Sequence, residues 1–445
     1  MAYKVGMVSL GCAKNQVDGE VLMASLKNAG FETVDDAALA DIAIVNTCGF
    51  IESAKRGVHR GDLGAGPAEE RGPHPKAGGH RLPFRALSSR NAQGTARGGR
   101  GAGHWRQRGH CPAAHPDDGG GPVCRVLPGQ IQNAPVRGAC ADHPQLLCLC
   151  EDRRGLRQPV FLLRHSPSIR GGYRSRTMES IEEECRALVA NGAKELILIA
   201  QDTSRYGIDL YGEYSLAKLM ERLCRIDGLC WLRVLYCYPD SITDELLEVM
   251  AREEKILPYI DLPLQHASGK ILRAMNRRGD RRSLTALMER IREKVPGVVL
   301  RTTFITGFPG ETEEDFTQLA EFAKDVQFER MGCFAYSQEE DTPAASLPDQ
   351  VEEEVKEHRA EILMDRQMAI MEAQGLELVG QTLEVLVEGF DRYAECWFGR
   401  SYRDAPDIDG KVFFTTEGKR PRLGSFVKVT VTGCMDCDLT GELVE

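Results

Sequence analysis

Residues 302–316 read TTFITGFPGETEEDF. The β-branched and aromatic letters at its start close an apolar strand, and a Gly-Phe-Pro-Gly turn follows. Glu311–Glu314 then place negative charge where a helix N-terminus favours it. Strand, turn and helix make one βα unit, and the pattern repeats on both sides. Lys194–Ala200, Trp231–Tyr238, Tyr259–Leu264, Val298–Ile305 and Met331–Tyr336 are apolar strand candidates. Helical spacing separates them over Ser180–Asn191, Ser215–Ile226, Ile242–Glu254, Arg282–Glu293, Glu313–Val326 and Val351–Gly375. Such alternation predicts a parallel, barrel-like α/β sheet, with functional residues at the C-terminal strand ends. Gly380–Glu445 differs: short strands (LEVLVEG, KVFFT, FVKVTVT), turns and no good helix, the pattern of a small β-barrel.

At the other end, Tyr3–Leu10 and Ala40–Asn46 read as strands flanking a helical stretch at Gly19–Asn28. The chain has 445 residues, 42% hydrophobic and 27% charged, with mean hydropathy −0.31. No apolar run approaches the roughly 20 residues of a membrane span. The start, MAYKVGMVSLGCAKN, has no basic segment followed by an apolar one, so no secretory signal is expected. The net charge of −10 disfavours indiscriminate nucleic-acid binding. Fifteen cysteines without a signal peptide point to metal or redox chemistry rather than a disulfide scaffold.

From about Arg56 to Pro167 the composition turns to Gly, Arg, Pro and His, and eight of the ten histidines lie there. No helical or strand period persists. One reading is a basic disordered insert. A second reading is a segment translated one base out of register. Synonymous codons for His143–Ser166 (HPQLLCLCEDRRGLRQPVFLLRHS) allow the neighbouring frame to read TPSYSAYVKIAEGCDNRCSFCVIP. In the same frame Leu87–Arg106 can read CLAEMLRELPEVDAVLGTGD. Both are coherent folded-protein sequences that use one shift. The second reading predicts little regular structure over 56–166.

Cys12 (SLGCAKN) and Cys48 (NTCGF) each follow an apolar strand, where a sulfur can point into a cleft beside backbone N–H groups. They read as metal ligands, with buried core thiols as the alternative, but two thiolates are too few for a cubane cluster. The neighbouring frame would add C-x3-C-x2-C at the positions of Leu156, Val160 and Leu163, and another Cys at Leu87. Gly307 and Gly310 would let backbone approach a ligand, or would simply serve a βα turn. Gln201 and Asp202 (AQDTSRYG) and Gln265 and His266 (DLPLQHAS) follow strands and could line a site or form turns. Arg233 inside WLRVLY needs a partner, either a ligand carboxylate or a structural acid. Asp404, Asp407 and Asp409 could form an acidic face or be solvated turn acids. Cys434 and Cys437 (CMDC) lack a second pair and read as surface or core thiols.

SLGCAKNQVDGE, NTCGFIESAK, AQDTSRYGIDLYG, YCYPD, DLPLQH, RTTFITGFPGETEEDF, FAYSQEEDTPA and FGRSYRDAPDIDG together resemble the methylthiotransferase branch of the radical S-adenosylmethionine enzymes. Ala13-Lys14-Asn15 and Gly49-Phe50-Ile51 resemble its ribosomal-protein members more than its tRNA-modifying ones. The resemblance covers 1–55 and 168–445. It implies an N-terminal α/β methylthiotransferase domain beginning at 1–55 and an aberrant segment at 56–166. It further implies the remainder of a radical-SAM partial (β/α) barrel at 167–375 and a TRAM-like β-barrel at 376–445. It implies two 4Fe–4S clusters, one held partly by Cys12 and Cys48, and S-adenosylmethionine near Gln201, Arg233, Gly307 and Gly310. The implied substrate is an aspartate of the twelfth small-subunit ribosomal protein. The implied electron donor is a flavodoxin or ferredoxin. Neither membrane nor direct nucleic-acid binding is required, and a cytoplasmic location is expected.

Overall fold

The computed structural model describes residues 3–10, 13–34, 39–47, 147–151, 153–154, 174–339, 342–418 and 420–444. They fall into two units, one of residues 1–142 with 167–169 and one of residues 143–166 with 170–445.

In the first unit, β1 (Lys4–Leu10) runs parallel to β2 (Glu32–Thr33) on one side and β3 (Ile42–Thr47) on the other. Helix α1 (Ala13–Asn28) connects β1 to β2. It starts well before the expected Gly19, because AKNQVD carries no apolar period that would reveal it. Val5, Met23 and Leu26 form the buried centre, with Leu22, Phe31, Ile42 and Ile44 packed against them.

The second unit is built on six parallel strands. They are β4 (Leu147–Glu151), β7 (Glu195–Ile199), β8 (Trp231–Val234), β9 (Ile256–Gln265), β10 (Val299–Thr306) and β11 (Arg330–Ala335). Spatial order follows chain order from β4 to β11, as in an opened barrel. A short antiparallel pair, β5 (Arg153–Arg154) with β6 (Arg174–Ser175), precedes β7. The crossovers carry α2 (Met178–Ala190), α3 (Leu216–Cys224), α4 (Asp244–Arg252), α5 (Gly269–Ala274), α6 (Arg281–Lys294) and α7 (Glu313–Val326). Their apolar stripes close over one sheet face, burying Leu196, Leu198, Leu232, Ile260, Phe304, Phe322 and Phe328 in a single core.

Within 56–166 one short strand is described in the parallel sheet: β4 pairs with β7 from Leu147 opposite Glu195 to Glu151 opposite Ile199. LCLC is an apolar run, and the edge of β7 offers it a row of backbone partners. The rest of 56–166, apart from Arg153–Arg154, lies outside the described residues. Strand β8 stops at Val234 rather than Tyr238, because Tyr236 takes a left-handed backbone (φ 60°) and Pro239 opens a short 3₁₀ turn.

Helix α8 (Glu353–Glu377) leads into a closed barrel of β12 (Thr382–Asp391), β13 (Cys396–Arg400), β14 (Val412–Thr415), β15 (Phe426–Met435) and β16 (Asp438–Leu443). Closure removes exposed edges, and Leu383, Val385, Val387, Val412, Phe414, Val429, Val431 and Leu439 fill the centre.

Candidate functional site

The parallel sheet sends all its C-terminal strand ends the same way. Gln201 and Asp202 follow β7, Tyr236–Tyr238 follow β8, Gln265 ends β9, and Gly307–Gly310 follow β10. Of the expected site residues, Gln201, Gly307 and Gly310 therefore share one end of the sheet. Gln201 and Gln265 are partly exposed there, and Gln265 is held left-handed (φ 71°). Asp202 instead serves the turn: buried, it accepts Ser204 Oγ at 2.7 Å. The loops after β7 and β8 are laced together, Thr203 N donating to Tyr236 O at 3.0 Å and Tyr238 N to Ser204 Oγ at 2.8 Å.

His266 is wholly buried and structural. Its Nδ1 accepts Ser268 N at 2.9 Å, which leaves the proton on Nε2 to face Glu311 Oε2 at 3.2 Å. Glu311 also accepts Gly307 N at 2.9 Å and Arg359 Nη1, from α8, at 2.8 Å. Thr312 and Asp315 form a capping box at the start of α7. Burial would raise the Asp315 carboxyl, but bonds from Ser268, Lys270 and Thr312 outweigh it and hold Asp315 well below the usual carboxylate range. Sequence reasoning did not find the Glu311–Arg359 bond, because no local pattern links residues 48 apart.

In the Gly-Phe-Pro-Gly turn, a Cβ on Gly307 would lie 2.0 Å from Lys356 Cγ, so the close approach of α8 and a left-handed backbone (φ 70°) both call for glycine there. Gly310 faces open space and is demanding only in its backbone (φ 82°).

Arg233 points to the opposite end. Its Nε lies 2.8 Å from Glu195 Oε1, its Nη1 donates to Tyr402 O at 3.0 Å, and both charged side chains are 0% exposed. Of the two readings of Arg233, the structure contains the ion pair with a structural acid. Its charge is matched by Glu195 of β7, and the small β-barrel meets it through the Tyr402 main-chain oxygen. Asp404 and Asp409 belong to the same contact: Arg330 Nη2 lies 2.7 Å from Asp404, and Tyr259 Oη donates to Asp409 at 2.6 Å. They form no acidic face and are not solvated; only Asp407 of the three is exposed. Cys434 and Cys437 are partly buried free thiols at the β15–β16 turn.

Residues 4–64 match the uncharacterized protein family UPF0004, residues 154–323 the Radical SAM superfamily, and residues 379–444 the TRAM domain. The chain is 40% identical over 461 residues to the ribosomal protein uS12 methylthiotransferase RimO of Desulforamulus reducens, covering 99% of each. The chain belongs to the RimO family of radical SAM methylthiotransferases. RimO of Pelotomaculum thermopropionicum is 41% identical over 475 residues, covering 100% of both chains. RimO of Geobacter sulfurreducens is 37% identical over 478 residues, covering 99% of this chain and 98% of the relative. Among solved structures, the coproporphyrinogen III oxidase HemN of Escherichia coli aligns over 52% of this chain and 53% of its own. It does so at 14% identity and a TM-score of 0.37, too slight a likeness to support an argument.

Membership of the RimO family implies S-adenosylmethionine and a 4Fe–4S cluster, and the donor set can be tested for fit. The positions after β4 at which the neighbouring frame would place C-x3-C-x2-C carry Leu156, Val160 and Leu163, hydrocarbons with no lone pair for iron. Among the described residues, no group of three or more His, Cys, Asp and Glu could hold a metal ion. Cys12 and Cys48 lie outside the described residues. The chain as written does not fit the radical cluster of the RimO family. No helix among the described residues is long and apolar enough to cross a membrane.

Proposed function

We propose that the gene behind this chain specifies a methylthiotransferase acting on an aspartate of ribosomal protein uS12, and that residues 56–166 are translated one base out of register. The observation that carries the function is the full-length likeness to RimO from several bacteria. Three points support the frame reading: normal patterning stops near Arg56 and resumes near Pro167, synonymous codons allow the neighbouring frame to read C-x3-C-x2-C, and those positions follow β4 in sequence. Cys12 and Cys48 are the proposed ligands of a second cluster, completed by the shifted-frame Cys at Leu87. Gln201, Gln265 and Gly310, at the open strand ends, are the proposed surface toward S-adenosylmethionine and substrate. A cytoplasmic location, a flavodoxin or ferredoxin as reductant, and no requirement for nucleic acid complete the reading. The test is to express the chain with the frame restored, supply uS12 and look by mass spectrometry for a methylthio group on aspartate. Modified tRNA with unmodified uS12 would favour the tRNA-modifying relatives instead.

A further inference from the structure

Tyr236 is a non-glycine residue in the left-handed region (φ 60°), directly after β8. Such a backbone persists only where its surroundings over-determine it. Here the determinant is Asp261, fully buried in β9. Its Oδ2 accepts Tyr236 N at 3.0 Å, and its main-chain oxygen accepts Cys237 N at 2.9 Å. Asp261 is in turn oriented by Arg301 of β10, whose Nη1 lies 2.8 Å from Oδ1. Arg301 also faces the small β-barrel, its Nε 3.8 Å from Asp409 Oδ1. Asp409 is itself fixed by Tyr259 Oη at 2.6 Å and Ala405 N at 2.8 Å. On the far side, Tyr236 O accepts Thr203 N at 3.0 Å, in the turn that begins with Gln201 and Asp202.

We infer that Asp261 and Arg301 are positioning residues that tie the docked C-terminal β-barrel to the two loops at the open end of the sheet. Asp409 sets Arg301, Arg301 sets Asp261, and Asp261 holds the Tyr236 turn to which the Thr203 turn is bonded. The proposed function says only which reaction those loops serve. The test uses the ligand-free chain, so failure of this inference is distinguishable from failure of that reading.

The experiment is hydrogen exchange by mass spectrometry on the full chain and on Asp261→Asn, Arg301→Lys and Asp409→Asn variants. Asp261→Asn keeps an oxygen for Tyr236 N but loses the charge that Arg301 orients. Asp409→Asn keeps an oxygen for Tyr259 and removes the charge that faces Arg301 and Arg330. Exchange over 202–204 and 235–238 should rise about tenfold in Asp261→Asn, the factor carried by one hydrogen bond to a charged group. It should rise by a smaller factor in the other two, with α7 unchanged. Uniform acceleration across the whole sheet would mean that Asp261 is merely a stabilising core residue. Unchanged exchange of those loops in both Arg301→Lys and Asp409→Asn would equally overturn the inference.

Discussion

Arg400 Nη1 stands 2.8 Å from Glu195 Oε2, joining the small β-barrel to the first residue of β7. The other oxygen of Glu195 holds Arg233, so one buried carboxylate is shared by two guanidinium groups. The inside of a parallel barrel is usually filled with branched apolar side chains. Here Glu195 and Arg233 are ionic and buried, and the third member of the group, Arg400, comes from the C-terminal module.

Removing the shared acid should be costly. Glu195→Ala leaves Arg233 and Arg400 buried without it, and a loss of about 3–5 kcal/mol in urea unfolding is expected. Burial raises the Glu195 carboxyl, but Arg233 and Arg400 outweigh it and hold it below its ordinary value. A depressed folded pKa stabilises the protein above the unfolded value, roughly 4.3 for glutamate, and the contribution is lost as pH falls through the folded one. Unfolding midpoints measured from neutral to acid pH should fall below that range, and Glu195→Gln should flatten the fall.

The two turn glycines should respond differently. Gly307→Ala meets both the left-handed backbone and Lys356, and should cost about 2–5 kcal/mol. Gly310→Ala meets only the backbone penalty, about 1–2 kcal/mol. Denaturant midpoints of the two variants decide this, and Lys356→Ala should recover part of the Gly307→Ala loss. Equal losses would remove the argument that α8 dictates the first glycine.

Burial pushes the Cys333 thiol up to about 12 and the Cys224 thiol up to about 11. Neither should be alkylated in the folded chain at neutral pH. Cys230, partly exposed, should react before either. Peptide mapping after brief native labelling reads the order, and early modification of Cys333 would contradict the packing of β11.

Resequencing the DNA across codons 50–170 should show a single-base gain or loss near codon 56 and a compensating one near codon 166. An uninterrupted frame in the DNA, matched by peptides from 56–166 in cells, would remove the frame reading.

Much of the architecture was legible from letters alone. Glu313–Val326 shows its acidic first turn and apolar stripe, and α7 has those bounds. The strands before it alternate or run apolar as buried strands do. What was not legible depends on distant partners. Arg233 could be recognised as needing an acid, but Glu195 lies 38 residues away in another strand. Asp404 and Asp409 look like turn acids until Arg330 and Tyr259 are brought to them. The clash that makes Gly307 necessary involves a helix some fifty residues later. Strands β13 and β16 escaped notice because CWFGR and DLTGEL are short and interrupted by glycine.

With Leu156, Val160 and Leu163 where the neighbouring frame would place thiolates, this RimO-family chain should hold no radical cluster. Iron content after anaerobic reconstitution decides this, comparing the chain as written with the frame-restored one. Iron and sulfide, with the visible absorption of a 4Fe–4S cluster, are expected in the restored chain, and far less than one cluster in the chain as written. A full cluster bound by the chain as written, with Leu156, Val160 and Leu163 in place, would contradict it.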